Sequence, residues 1–512
     1  MDLDPRTPVL VGVGSAAHPA EPYELMASAL HAAAADAGAR SGASQLLSSI
    51  DRIAVPQGTW SYSDPARLVA RAVGAPNART HLGEIGISQQ TLVSQALRAI
   101  ATGASSVAAV VGGEARRWAK SPGAIETVQH GEAPDNVESR EPEFFAPPEM
   151  STGMLVPAVQ QYAIIENALG HHEGVGRAQH QEEIADLWAR MNIVAQHNPL
   201  AAFGTPRSAH AIATSGPGNR LLAYPYNKWH ATQWTVDQAA ALVVCSAEAA
   251  RRHGIPADRW VFPLVGIDAN HAVSLSRRRY LHRWPAMEVL GRAAARRIGR
   301  PVADADMIEV YSCFPAAVRV QQRELGLPLD GTPTVTGGMA FAGGPFNNFV
   351  YQATTALVPA LRANPTALGV VTTVCGLLTK PGLAVWSAAP DGRPPLIDDL
   401  ATEAAAATPT VDVLDNHHGE ARVASFTVTC EQTSPARVVV VADVGDADQN
   451  ADQNADQNAD QNAGQNAGQG RGPTPARCVA VSHDRSLATQ LVEGTGELIG
   501  ATIHVEGLTF TA

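Results

Sequence analysis

Thr336-Gly337-Gly338-Met339-Ala340-Phe341-Ala342-Gly343-Gly344-Pro345-Phe346-Asn347-Asn348 carries four glycines in thirteen residues and reads as a turn built for contact. Glycine lets the main chain approach a ligand closely and turn its N–H groups toward it. Two further turns have the same character. Gly83-Glu84-Ile85-Gly86-Ile87-Ser88-Gln89-Gln90 lies immediately before a predicted helix start, where free amides and the helix dipole favour an anion or a nucleophile of lowered pKa. Val374-Cys375-Gly376-Leu377-Leu378-Thr379-Lys380-Pro381-Gly382 is the last. Between them Tyr311-Ser312-Cys313-Phe314-Pro315 follows a short apolar run and reads as a strand end.

The chain around these turns has 512 residues, enough for about three domain-sized units at roughly 150 residues each. With 45% hydrophobic but only 5% aromatic residues, the core is expected to be built of Ala, Val and Leu. The net charge of −12 and the lack of long basic runs argue against nucleic acid, which is held mainly by Lys and Arg clusters. No stretch reaches the ~18 uninterrupted apolar residues of a membrane span, and the start Met1-Asp2-Leu3-Asp4-Pro5 is acidic where a signal peptide is basic. A soluble cytoplasmic protein is expected. The five cysteines, at 245, 313, 375, 430 and 478, form no CxxC pair and no disulfide framework, so their interest is as reactive thiols.

Short apolar runs alternate with Ala-rich helical stretches from Thr7 onward, the pattern of a layered α/β fold. Thr7 to Gly14 reads as a strand, Glu24 to Ala39 as a helix, Ser88 to Gly103 as a helix and Ser106 to Val111 as a strand. A second set follows: strand Ala239 to Cys245, the run Trp260 to Val265, helix Ala286 to Ile298 and strand Met307 to Val310. Two rounds in each half suggest internal duplication. The expected divisions are an N-terminal half over 7–121, an inserted loop region over 122–235 that could cover a site, and a C-terminal half over 236–390. Residues 391–512 read as a small all-β, OB-like barrel domain. It is interrupted over 446–472 by a tetrapeptide repeat, Ala-Asp-Gln-Asn, with almost no apolar surface to bury. Disorder in a hairpin loop lengthened by repeat slippage is expected there.

Taken in order, these segments resemble the thiolase superfamily, most closely its sterol-carrier-protein-like members described as acetyl-CoA acetyltransferases, over about Thr7 to Pro390. Ala99-Ile100-Ala101-Thr102-Gly103 through Gly113-Glu114-Ala115 is similar to the stretch after the thiolase nucleophile. Val236-Asp237-Gln238-Ala239-Ala240-Ala241 resembles the Asp-Gly-Ala-Ala segment, and Tyr311 to Phe314 the HDCF or NEAF box. Gly343-Gly344-Pro345 resembles the Gly-His-Pro box, and the Cys375 turn the final Cys-x-Gly box.

The resemblance implies a duplicated five-layered αβαβα fold with a loop domain, acyltransferase-class chemistry in lipid metabolism, and acyl-CoA or CoA as substrate or ligand, with no other cofactor and no metal. Thiolases acylate a cysteine, activate it with the box histidine, and use a second cysteine as acid and base. In this sequence the nucleophile slot is Gly86, the histidine slot Gly344, and the residue opening the fourth box Tyr311. Cys313 matches the reactive cysteine of the HDCF form and Cys375 that of the last box. Ser88, Gly343, Asn347, Gly376 and Lys380 then fall on the substrate side. A glycine cannot be acylated, so either another thiol, Cys313 ahead of Cys375, has taken the role, or the protein is a non-catalytic acyl-CoA or lipid binder or a partner subunit. The family also implies a homodimer, which the extra C-terminal domain could block.

Other features read more plainly. Gly12-Val13-Gly14 lacks the third glycine and the later acidic residue of a dinucleotide site. His171, His172 and His180 lack zinc-ligand spacing and read as a polar loop. Arg277-Arg278-Arg279 is either a solvated face or a set of phosphate ligands, Lys380 either a surface lysine or an anion holder, and Cys245 a core residue.

Overall fold

The computed structural model describes residues 3–139, 147–152, 157–445 and 476–511. Two sheets with the same plan organise the body. The first takes in β1 (Pro8–Ala16), β2 (Arg52–Pro56), β3 (Arg79–Gly83), β4 (Val107–Ala115), β5 (Asn136–Glu138) and β8 (Asp237–Ser246), in the order β1-β8-β4-β2-β3-β5. The second takes in β9 (Phe262–Asp268), β10 (Met307–Glu309), β11 (Gly369–Cys375), β12 (Lys380–Ser387) and β13 (Leu396–Asp399), in the order β10-β11-β12-β9-β13. In each, one strand, β8 or β12, runs antiparallel to both its neighbours; parallel pairs follow beyond β4 in the first sheet and on both sides in the second. Every residue of β4 and β8 is buried, as expected of strands covered on both faces, and both read as near-continuous Ala/Val runs.

Helices Gln89–Thr102 and Phe349–Ala363 lie between the sheets and touch strands of both, while Pro22–Asp36 and Pro285–Ile298 cover the outer faces. The result is five layers, helix, sheet, helix, sheet, helix, as expected from the sequence. The Gln89 helix shows why the pattern was readable: Ser88 Oγ accepts from Gln90 N–H, Leu92, Val93, Leu97 and Ile100 are buried, and left-handed Gly103 ends it.

The loop region is more regular than its composition implied. Helices Ala158–His172 and Arg177–Gln196 run through it. His171, His172 and His180 are therefore helical rather than in a polar loop, and His180 is buried against Glu166 at 3.0 Å. Glu166 also accepts from the Tyr226 hydroxyl and lies 3.8 Å from Arg319, whose Nη2 reaches Glu173 at 2.8 Å and Glu183 at 3.4 Å. Burial alone would raise the Glu166 carboxyl, but His180, Arg319 and Tyr226 hold it below the ordinary range. Glu166, Glu173 and Glu183 thus converge on the Arg319 guanidinium, with His180 on Glu166, and this charge network locks the loop-region helices to helix Pro315–Glu324.

At the C-terminal end, β15 (His417–Glu431), β16 (Ser434–Val444), β17 (Ala476–Ser482), β18 (Thr502–Gly507) and β19 (Thr509–Thr511) close a ring in the order β15-β16-β17-β19-β18-β15. Phe426, Val438, Val440, Val505 and Phe510 fill it. Three features differ from the sequence reading. β13 belongs to the second sheet, and helix Ala401–Ala407 packs on the Pro285 helix, so the barrel begins past Ala407 rather than at 391. The barrel is not all-β, because helix Arg485–Glu493 joins β17 to β18. The short β6 (Leu221–Ala223) and β7 (Tyr226–Asn227) of the loop region extend from β15, so distant sequence completes its edge. The repeat lies outside the described residues; the strands on either side of it are paired up to Val444↔Ala476. Among the described residues no helix is long and apolar enough to cross a membrane.

Candidate functional site

The ordered glycine turns meet at one place, the N-terminus of the Gln89 helix. Gly86 sits just before it at φ 102°, a conformation that side chains disfavour. The hairpin joining β11 to β12 reaches over it: Cys375 and Lys380 are register partners, the Cys375 thiol donates to the Gly86 carbonyl at 3.3 Å, and Lys380 Nζ donates to the same oxygen. Lys380 is buried, 6% exposed, rather than a surface lysine. Gly86, Cys375, Gly376 and Leu377 are partly exposed, so the slot opens outward.

The turn itself is strained. Gly376, Leu377 and Leu378 have φ of 65°, 61° and 60°, three left-handed residues in a row, two with branched side chains. Buried Arg278 clamps it from behind, giving Nη2 to the Leu377 carbonyl at 2.8 Å, while Trp284 Nε1 donates to the Thr379 carbonyl at 3.1 Å. The arginine triplet is therefore not a solvated face at its centre, and burial lowers the Arg278 guanidinium to about 10. Arg477 of β17 donates in turn to the Arg278 and Arg279 carbonyls and to Asp443 at 2.7 Å, which ties the barrel to the back of the turn.

Tyr311 is the third member of the cluster. Burial, Cys313 and Cys375 together raise its phenol well above the ordinary value, against a hydrogen bond with Gln89. Cys313, just beyond it, is 9% exposed, and burial pushes its thiol up to about 12 despite a hydrogen bond with Tyr162. That environment disfavours the thiolate on which thiol reactivity depends. Cys245 is likewise buried and pushed up to about 12, as fits a core residue of β8.

The 336–348 turn is held at both ends. Glu309 of β10, fully buried, accepts from the Thr334 and Thr336 hydroxyls and from the N–H groups of Val335 and Thr336. Ser312 Oγ accepts from Met339 N–H at 3.0 Å. Gly343 runs so close to β8 and Gly344 to the loop region that a Cβ at 343 would meet Gln238 Oε1 at 2.4 Å and one at 344 Thr232 Cγ2 at 2.3 Å. Left-handed Asn347 donates to the Gln57 carbonyl at 2.7 Å, and Gln57 Oε1 accepts from Ile85 N–H, linking this turn to the Gly86 loop. Ser88 is spent on its helix cap and is buried.

A cleft beside the Cys313 and Gly344 segments has no signal in the linear sequence. Its volume is about 460 Å³, and Phe203, Arg220, Lys228, Thr232, Gln233 and Trp234 are among the residues that line it. Trp234 is exposed, with the Arg116 guanidinium 3.6 Å from its ring centre. The inner wall is bonded directly to the site: Thr232 donates N–H and Oγ1 to the Cys313 carbonyl, both at 3.0 Å, and Gly344 N–H donates to the Gln233 carbonyl at 3.1 Å.

No family model and no curated protein matches the chain. Solved structures do. A monomeric SCP2-thiolase-like protein type 1 from Mycobacterium smegmatis is 25% identical, with a TM-score of 0.80, over all of both chains. This chain has the fold of the thiolase superfamily. Within it the likeness to the SCP2-thiolase-like protein runs the whole length, C-terminal barrel included. An aldolase described as Ltp2-ChsH2(DUF35), 19% identical, matches with a TM-score of 0.56 over 75% of this thiolase-like chain and 99% of its own. Human mitochondrial 3-ketoacyl-CoA thiolase, in complex with CoA, matches with a TM-score of 0.52 at 15% identity over 76% of this chain and all of its own.

Proposed function

We propose that this thiolase-like chain recognises acyl-CoA, with acyltransferase-class chemistry in lipid metabolism as its setting, and that it does not form the usual acyl-cysteine at the Gly86 slot. The observation that carries the reading is the 460 Å³ cleft, whose wall Thr232–Gln233 is bonded to both the Cys313 and the Gly344 segments. Arg220 and Lys228 offer charge to phosphates, and Trp234 offers a flat face to an adenine ring. A neighbour of the same fold is complexed with CoA, which supports the same ligand here. Binding without thiolysis is favoured over ordinary thiolysis by a glycine in each of two catalytic slots and by the burial of the Cys313 thiol.

CoA binds the folded protein in this reading, so it raises the melting temperature, with the stabilisation growing as the logarithm of its concentration over Kd. The shift disappears in Arg220→Glu/Lys228→Glu, and thiolysis of a panel of 3-ketoacyl-CoAs is absent. An unchanged melting temperature at millimolar CoA refutes the ligand, and thiolysis lost on Cys375→Ala refutes the absence of thiolysis. A monomer is proposed in place of the family's dimer, since the full-length neighbour is monomeric, with sedimentation velocity as the check.

A further inference from the structure

This chain is almost free of lysine. Its 37 Lys and Arg residues comprise 34 arginines and three lysines, at 120, 228 and 380. Lys120 is on an exposed turn and Lys228 lines the cleft, while Lys380 is buried. Arginine supplies fixed positive charge and planar hydrogen bonding, and the other basic positions use it. An amine adds what a guanidinium does not, a nitrogen able to attack a carbonyl carbon.

The position of that amine is specific. Lys380 Nζ points at the Gly86 carbonyl, in the slot where the resemblance places the acylated cysteine. The Cys375 thiol converges on the same oxygen at 3.3 Å, and Tyr311 lies beside it. Among the described residues no carboxylate pairs with Nζ, so the group is not one half of a structural ion pair. The three successive left-handed residues between Cys375 and Lys380 hold the two side chains on one side of the hairpin at the cost of backbone strain, which is characteristic of functional sites. Partial exposure of Gly86, Cys375 and Gly376 provides the approach.

We propose that Lys380 is a nucleophilic amine that captures the keto group of a 3-oxoacyl thioester as an imine. The inference rests on the acyl-CoA reading for its substrate class. The nitrogen lone pair adds to the keto carbon, and an N–H proton passes to the oxygen to give a carbinolamine. The Cys375 thiol then protonates that oxygen, which leaves as water, and an iminium faces the resulting thiolate. No oxidant or further reactant is required, and water reverses the step. The iminium draws electrons from the neighbouring carbon, activating the thioester's α-position without any acyl-enzyme.

Reductive trapping tests this directly. The full chain is incubated with sodium cyanoborohydride and either acetoacetyl-CoA or free acetoacetate, digested, and mapped by mass spectrometry, with Lys120 and Lys228 as internal controls. The expected result is an adduct on Lys380 at least tenfold above either control, absent in Lys380→Arg and Lys380→Met. Equal labelling of all three lysines overturns the proposal. So does the lack of an adduct with either probe while CoA still raises the melting temperature. If acetoacetate labels Lys380 but acetoacetyl-CoA does not, the amine chemistry stands and the acyl-CoA reading falls. The wild-type result is independent of whether the variants fold.

Discussion

Restoring the two missing thiolase side chains, Gly86→Cys and Gly344→His, should damage the protein without reviving it. Cysteine at 86 must accept a φ of 102°, and holding a side chain in so sparsely populated a region costs about 1–3 kcal/mol. A Cβ at 344 arrives 2.3 Å from Thr232 Cγ2 and 3.1 Å from Met339 Cε, and the imidazole must follow it, an overpacking cost of about 1–3 kcal/mol more. If the two add, about 2–6 kcal/mol is lost from a typical total of 5–15 kcal/mol. Urea denaturation of the two single variants and the double reads this as a fall in midpoint at unchanged slope. Thiolysis of acetoacetyl-CoA should remain at background, because Lys380 and Cys375 still occupy the Gly86 carbonyl. A double variant with a wild-type midpoint and measurable thiolysis would show that the site merely lacks two side chains and that the backbone argument is wrong.

Three further outcomes follow from named groups. Asp268 is raised to about 7, chiefly by burial and also by Asp399, against hydrogen bonds from Thr91 and Asn270; its folded state therefore keeps a proton that the unfolded chain releases near pH 4. Its contribution to stability is full below about pH 4 and is lost as pH rises through 7, so Asp268→Asn should gain on the wild type in urea melts between pH 5 and pH 8. Glu166→Gln removes the fully buried carboxylate of the network, leaving Arg319 with the more exposed Glu173 and Glu183, and should cost about 1–3 kcal/mol, whereas a smaller loss would mean that Glu166 is dispensable. Arg278→Met strands the buried Val273 carbonyl, at about 1–3 kcal/mol, releases the Leu377 carbonyl, and should speed alkylation of Cys375 by iodoacetamide, with Cys245 unchanged as control.

How much of this was legible depends on the range of the interactions. The layered body was, because Ser88, Gly103 and the Ala/Val strands carry their signals within a few residues. The loop-region helices were not, since Arg177–Gln196 buries His180 and Asn192 among charged neighbours and so reads as polar sequence. The convergence of the glycine turns was legible as an ordered set, and their geometry was not. Nothing local distinguishes buried Lys380 and Arg278 from surface residues, because what buries them is a hairpin register and a clamp contributed by Arg477, about 200 residues further on. The adjoining cleft, assembled from residues 203 to 235, likewise had no linear signature.

The last rung of the β16–β17 ladder, Val444↔Ala476, leaves the whole tetrapeptide repeat on its far side. Gaining or losing a unit of four therefore alters nothing below that rung, whereas a single residue inserted between Val438 and Val444 would turn the valines filling the barrel outward. Closing a loop twice as long costs only about 0.6 kcal/mol. Replication errors in that stretch are thus nearly invisible to selection on stability, and kinship within this group is better judged from the ladder residues than from chain length.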